Sequence, residues 1–367
     1  MIDTHTTGDD PRDVVFGDFD GDGNQDVAVA PYKGDSSNNE VVSLLLSDGI
    51  GGLGARIAVP PTNPGLVLLG SISLAVGRLN GDAIDDLVVV YNDNDSYAVV
   101  LGNATPASMT ASAPVALAAG GFPRAAVIAS LNPATDPLAD LAIANSRTDQ
   151  VVIHAGNGDG TFAAAPLATL DLGANTSPWD LAAGDLNGDT FADLAVVVLQ
   201  PNGGGTETLH RVRGFLNDGS GAFSPAAGED GAATVQADAD IALADLNGDG
   251  RADAVRTLAG TDQVAVFLAG QNGELTSHTT YAVGTGPSGV AIADATGDGH
   301  FDIVTANAAD ATLSILPGDG IGGFGAGETV SIPAAPGAVA AGDLDGTPGA
   351  DLAAVHPATD ALTVVRR

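Results

Sequence analysis

The sequence predicts an all-β fold: a seven-bladed β-propeller of four-stranded antiparallel blades, closed by its own N-terminal strand. Three observations carry this expectation. An acidic loop recurs seven times, starting near residues 18, 78, 130, 185, 245, 294 and 343, at intervals of 49 to 60 residues. Each copy lies between two short apolar runs, and a third and a weaker fourth run follow, as the strands of one blade would. The composition, 50 Gly and 20 Pro with Lys33 as the single lysine, suits short strands and turns rather than long helices.

The copies differ in how much of the loop they keep. The first, GDFDGDGNQDVAVA (Gly17 to Ala30), is followed at a distance by DLNGDTFAD (Asp185 to Asp193), DLNGDGRAD (Asp245 to Asp253) and DATGDGHFD (Asp294 to Asp302). DLDGTPGAD (Asp343 to Asp351) is damaged; RLNGDAIDD (Arg78 to Asp86) and SLNPATDPLAD (Ser130 to Asp140) are eroded. A proline stands seven residues before the loop in five copies, at Pro11, Pro123, Pro178, Pro287 and Pro336. The last unit, ending ALTVVRR, stops after its third strand. The opening HTTGDDPRDVVFGD matches the end of a fourth strand plus the next unit's start, so the N-terminal strand is expected to complete the last blade. One propeller domain over 1–367 is the resulting expectation.

The loop chemistry points to calcium, which takes six to eight oxygen ligands. Carboxylate or amide oxygens at positions one, three, five and nine, with a carbonyl at seven, can wrap one ion, and glycine permits the tight winding. The expected ligands are Asp18, Asp20, Asp22, Asn24 (carbonyl) and Asp26 in the first copy, and Asp185, Asn187, Asp189 and Asp193 in the fourth. They are Asp245, Asn247, Asp249, Arg251 (carbonyl) and Asp253 in the fifth, and Asp294, Thr296, Asp298, His300 (carbonyl) and Asp302 in the sixth. The seventh keeps Asp343, Asp345 and Asp351 but has Thr347 at position five, and stands as a fifth candidate beside four intact sites. In the second copy Arg78 replaces the first carboxylate, where an internal salt bridge is expected instead of an ion. The competing reading is plain Asp/Gly turns. An EF-hand is disfavoured because position twelve is Val29 or Val196 rather than a glutamate.

The net charge of −34, with 41 Asp among 46 acidic residues, argues against binding nucleic acid backbones or anionic membranes. No apolar run is long enough for membrane insertion, and the absence of cysteine removes disulfides and thiol chemistry. Calcium sites tuned for extracellular modules bind at about 10⁻⁴–10⁻³ M. An extracellular, cell-surface or periplasmic location is therefore expected, with oligomeric state left open.

Repeats such as VAIADATGDGHFDIVTA, with turns such as GDGTF (Gly158 to Phe162), resemble the FG-GAP/VCBS family, which includes the integrin α-subunit propeller. The resemblance covers essentially the whole chain. It implies calcium loops on one face of the disc and a ligand, glycan or protein, on the opposite face. Transferred to this sequence, that face receives Arg12, Arg124 and Trp179, each directly after a repeat proline, together with Tyr32, Lys33, Tyr91, Tyr97, Arg147, His210 and His356. The candidate ligand residues are Arg12, Arg124, Trp179, Tyr32, Tyr91 and His210. Trp179, the only tryptophan, offers a sugar-stacking surface or packs beneath a neighbouring blade; Arg12 and Arg124 offer a carboxylate or sulfate site or pair with local Asp.

A calcium-stabilised binding or adhesion module is the expected function, since no nucleophile, phosphate-loop or HExxH motif is present. A polysaccharide lyase or hydrolase is the alternative, with a Tyr or His base and an Arg for a uronate. A structural domain of a larger surface protein is a third.

Overall fold

The computed structural model describes residues 1–32, 40–63, 70–117, 120–201, 208–228 and 240–367. Lys33 lies outside them. Apolar runs such as DLVVVY and DIVTAN become second strands buried on both faces. In six blades every residue of that strand is buried: Asp26–Pro31, Asp86–Tyr91, Asp140–Asn145, Asp253–Leu258, Asp302–Asn307 and Asp351–His356. The outermost strands alternate or face solvent, as Ile2–Thr6 and Thr279–Ala282 do.

The sheets are seven, each of four antiparallel strands. Innermost strands of successive blades pack against one another around a ring: Pro11–Gly17, Ser71–Gly77, Pro123–Ala129, Ser177–Gly184, Ile241–Ala244, Pro287–Ala293 and Ala338–Gly342. Ile2–Thr6 pairs with Ala361–Val365 and completes the seventh blade, as the sequence predicts. Apolar clusters fill the seams between neighbouring blades. Phe19, Leu44, Leu87 and Tyr91 pack at the first seam, and Leu181, Leu194, Val196 and Phe215 between the third and fourth blades. At about 25 cal/mol per Å² of apolar surface removed from water, these seams are the main source of stability.

A bulge recurs where the innermost strand begins. The register skips between Pro11 and Asp13, Ser71 and Ser73, Pro123 and Ala125, Pro178 and Asp180, and Pro287 and Gly289. Proline has no N–H to offer the ladder, and the extra residue after it is turned out of the sheet. The bulged residues include Arg12, Arg124 and Trp179.

Candidate functional site

Each innermost strand runs from one face of the disc, where five of them begin in a bulge, to an acidic loop on the other, so the disc has two chemically distinct faces. On the loop face, the first aspartate organises the turn. Asp245 accepts hydrogen bonds from the N–H groups of Gly248 (2.8 Å) and Gly250 (2.8 Å), and Asp294 from Gly297 (2.7 Å) and Gly299 (2.8 Å). Asp185 does the same with Gly188 and Thr190, both at 2.7 Å. The sixth position needs a left-handed backbone: Gly23, Gly250 and Gly299 have φ of 89°, 85° and 87°. Thr190 is forced to φ 75°, which a β-branched residue adopts only under strain. Thr190→Gly is expected to raise stability by about 1–2 kcal/mol, read from urea unfolding; an unchanged midpoint would refute the strain.

Oxygen atoms of Asp18, Asp20 and Asp22 converge within 4.8 Å of one another, as do those of Asp343, Asp345 and Asp351. Burial, reinforced by Asp20 and Asp22, pushes the Asp26 carboxyl up to about 7; Asp193 and Asp253, buried near other loop aspartates, rise to about 6. Crowding of this kind is what a divalent cation relieves. The donor set fits a hard, oxygen-liganded ion.

The ninth-position aspartate has a second task that the ligand pattern hides. All seven (Asp26, Asp86, Asp193, Asp253, Asp302 and Asp351, with Asp140 as the equivalent at position eleven of the longer third loop) are fully buried. One oxygen accepts a backbone N–H from inside the loop and the other an N–H at or just beyond the end of the third strand. Asp140 takes Leu131 (2.8 Å) and Gly156 (2.9 Å); Asp253 takes Leu246 (3.0 Å) and Ala269 (2.7 Å). The sequence held a signal for this: Asp86 and Asp140 survive in the two copies that lost other ligands.

Arg78, at the first position of its loop, pairs at 3.2 Å with Asp85 of the same loop, the internal salt bridge expected there. Asp85 also accepts the N–H of Asp18 (3.0 Å), so the pair lies at the seam with the first blade.

On the opposite face a cavity of about 400 Å³ opens over the central channel, lined by Arg12, Asp13, Arg124, Trp179, Asp180 and Asp240 among others. Arginines here lie over aromatic rings. Arg12 is 5.0 Å from the ring centre of Tyr32 and Arg124 is 3.8 Å from that of Trp179. Arg12 also bonds Asp10 at 2.9 Å, as the local-pairing alternative expects. Trp179 is half-buried; Arg124 covers one ring face and His210 meets it edge-on at 5.9 Å. That ring face is therefore not open to a sugar.

Two candidate ligand residues need correction. Tyr91 is not in a loop but is the last residue of Asp86–Tyr91, 1% exposed and packed in the first seam. His210 is 1% exposed within Thr208–Asn217, and burial with nearby Arg256 pushes its pKa down to about 4. Neither reaches the mouth, which also removes them as surface bases. Tyr97 and His356 are buried too; Tyr32 and Arg147 stay accessible.

Three carboxylates at one repeat position, two residues after the bulge proline or its equivalent, staple the innermost strands. Asp13 accepts the N–H of Leu74 (2.7 Å), Asp180 that of Ile241 (2.9 Å) and Asp240 that of Val290 (2.7 Å), each in the next blade. Burial pushes Asp13 up to about 7, and pushes Asp180, hydrogen-bonded to Asp240, well above the usual carboxylate range. A carboxyl raised in the folded state stabilises below its unfolded value near 4, and this contribution is lost as pH rises through about 7. Asp13 alone should thus give a fall in stability of at most about 1.4 kcal/mol per pH unit between those limits. Asp13→Asn should flatten that slope; an unaltered slope in urea titrations at pH 4.5 and 6.5 would refute the assignment.

No helix among the described residues is long and apolar enough to cross a membrane. No curated protein matches the chain. Among solved structures, BBS1N in complex with ARL6DN matches with a TM-score of 0.65 at 12% identity, covering 99% of this chain and 94% of that one. Pseudomonas aeruginosa periplasmic gluconolactonase matches at 0.61 and 16% identity, covering 86% and 85%. An Agrocybe aegerita lectin that recognises non-reducing terminal N-acetylglucosamine matches at 0.57 and 19% identity, covering 89% and 80%. These likenesses concern the fold. Residues 135–196 match the model of the FG-GAP-like repeat. The chain is a seven-bladed β-propeller that carries an FG-GAP-like repeat.

Proposed function

We propose that the chain is a calcium-stabilised binding module acting outside the cytoplasm, whose ligand, a glycan or a protein, docks at the channel mouth opposite the acidic loops. The observation that carries this reading is the division of chemistry between the faces. Converging oxygen donors occupy one face, and stacked arginines around a cavity occupy the other. Calcium in the four intact loops and in the Asp343, Asp345 and Asp351 cluster would cross-link the first and second strands of a blade. It would act far from the ligand, as a scaffold ion. The solved relatives suit such a module, since one was crystallised with a protein partner and another recognises a sugar.

The test is a glycan and polysaccharide array in millimolar calcium, repeated in chelator, with Arg124→Ala as the control variant. Saturable binding that Arg124→Ala abolishes supports the reading. Binding that survives Arg124→Ala would move the site elsewhere, and a blank array in both conditions would remove glycans and leave a protein ligand.

A further inference from the structure

Three of the acidic loops carry Asn–Gly at positions three and four: Asn80–Gly81 in the second, Asn187–Gly188 in the fourth and Asn247–Gly248 in the fifth. In such a pair the asparagine amide is open to attack by the next backbone nitrogen, because glycine puts no Cβ in the way. The three pairs differ in what holds that nitrogen. In the fourth and fifth loops the first-position aspartate takes the glycine N–H: Gly188 donates to Asp185 at 2.7 Å and Gly248 to Asp245 at 2.8 Å. In the second loop the first position is Arg78, a donor rather than an acceptor, and it is turned to Asp85. The Gly81 N–H has no hydrogen-bond partner among the described residues.

The remaining geometry is shared or favours the second loop. In all three the N–H at position five donates to the asparagine Oδ1, at 2.8 Å from Asp82 and 2.9 Å from Asp189 and Asp249. That bond folds the amide over the glycine peptide and draws electrons from its carbon. Asn187 has its amide nitrogen held as well, by Asp189 at 2.9 Å. Around Gly81 there is room: beyond its chain neighbours, no heavy atom lies within 4 Å of where a side chain would start. Asn80 also lines an open cavity of about 480 Å³ with Arg78, Asp85 and Leu138, which gives water access. The other described Asn–Gly pairs are restrained. Gly273 donates to Gly270 (3.0 Å). Asn157 donates its amide to Thr161 (2.9 Å), and Leu138 packs 3.0 Å from the Cβ position of Gly158.

We propose that Asn80 is a self-modification site, converted through a cyclic imide with Gly81 into aspartate and isoaspartate. The Gly81 nitrogen loses its proton and bonds to Cγ of Asn80. The Cγ–Nδ2 bond breaks, and the amide leaves as ammonia with that proton. Water then opens the ring. Attack at Cγ restores the normal chain with aspartate; attack at the main-chain carbonyl routes the chain through Cγ as isoaspartate. Water is the only co-reactant, and no electrons are exchanged. The aspartate product carries at position three the carboxylate that the first copy has as Asp20. The isoaspartate product lengthens the loop beside the seam where the Asp85 N–H meets the Asp18 carbonyl (2.8 Å). The first-position carboxylate thus protects the fourth and fifth loops as well as folding them, and the second copy lost both with it.

The experiment is peptide mapping by mass spectrometry, with isoaspartate labelled by isoaspartyl methyltransferase. The protein is first incubated in mildly alkaline buffer with chelator, so that the loops are compared free of metal. Asn80 should convert about 10–100-fold faster than Asn187 or Asn247, where a hydrogen bond to a carboxylate must break first. Arg78→Asp supplies the missing acceptor and should bring Asn80 down to their rate. Arg78→Ala, which only removes the ion pair with Asp85, should leave Asn80 fast. Conversion of Asn80 no faster than that of Asn187 and Asn247, or equal rates in Arg78→Asp and Arg78→Ala, would overturn the proposal.

Discussion

Adding about 10 mM calcium to metal-free protein is expected to raise the melting temperature by about 7–14 °C. The magnitude follows from linkage. With dissociation constants of about 10⁻⁴–10⁻³ M, each loop adds about 1.4–2.7 kcal/mol at that concentration. Four intact loops together add about 6–11 kcal/mol. Unfolding entropy near 2.1 cal/mol/K per residue gives about 0.8 kcal/mol/K for 367 residues, hence the shift. Calorimetry in calcium and in chelator measures it. Asp245→Asn should reduce the shift by roughly a quarter, because that carboxylate is both a ligand and the organiser of its loop. A melting temperature indifferent to chelator would mean the loops stand on their Asx turns alone.

The second large effect concerns the ninth-position aspartates and separates their two roles. Asp140→Ala strands the buried N–H groups of Leu131 and Gly156. At about 1–3 kcal/mol each, the loss is about 2–6 kcal/mol, and it should be the same with or without calcium because that loop lacks the other ligands. Asp253→Ala should lose a similar amount through Leu246 and Ala269, and a further calcium-dependent part. Urea unfolding in both conditions resolves the two. If Asp140→Ala mattered only in calcium, the stapling role would be wrong.

The fold was legible because each loop is followed by a short apolar run, and seven repetitions leave little ambiguity about the architecture. Closure by the N-terminal strand was legible from the match between HTTGDDPRDVVFGD and an internal junction. The mouth was harder. Arg12, Arg124 and Trp179 were marked by the preceding proline, yet the bulge that turns them outward is a register event that no single residue announces. Tyr91 and His210 were misplaced because a strand end and a loop start differ by a residue or two, and at that boundary burial changes completely.

Closure has a kinetic side. The N–H of Arg366 reaches the carbonyl of Met1, 365 positions away, and Ile2–Thr6 zips along Ala361–Val365. Six blades are local hairpin assemblies that can form as the chain emerges. The seventh cannot, because its outer strand is made first and its partner last. Folding is thus expected to end in one slow, long-loop step, and until then the first strand is an unpaired edge that a second unfinished chain could capture.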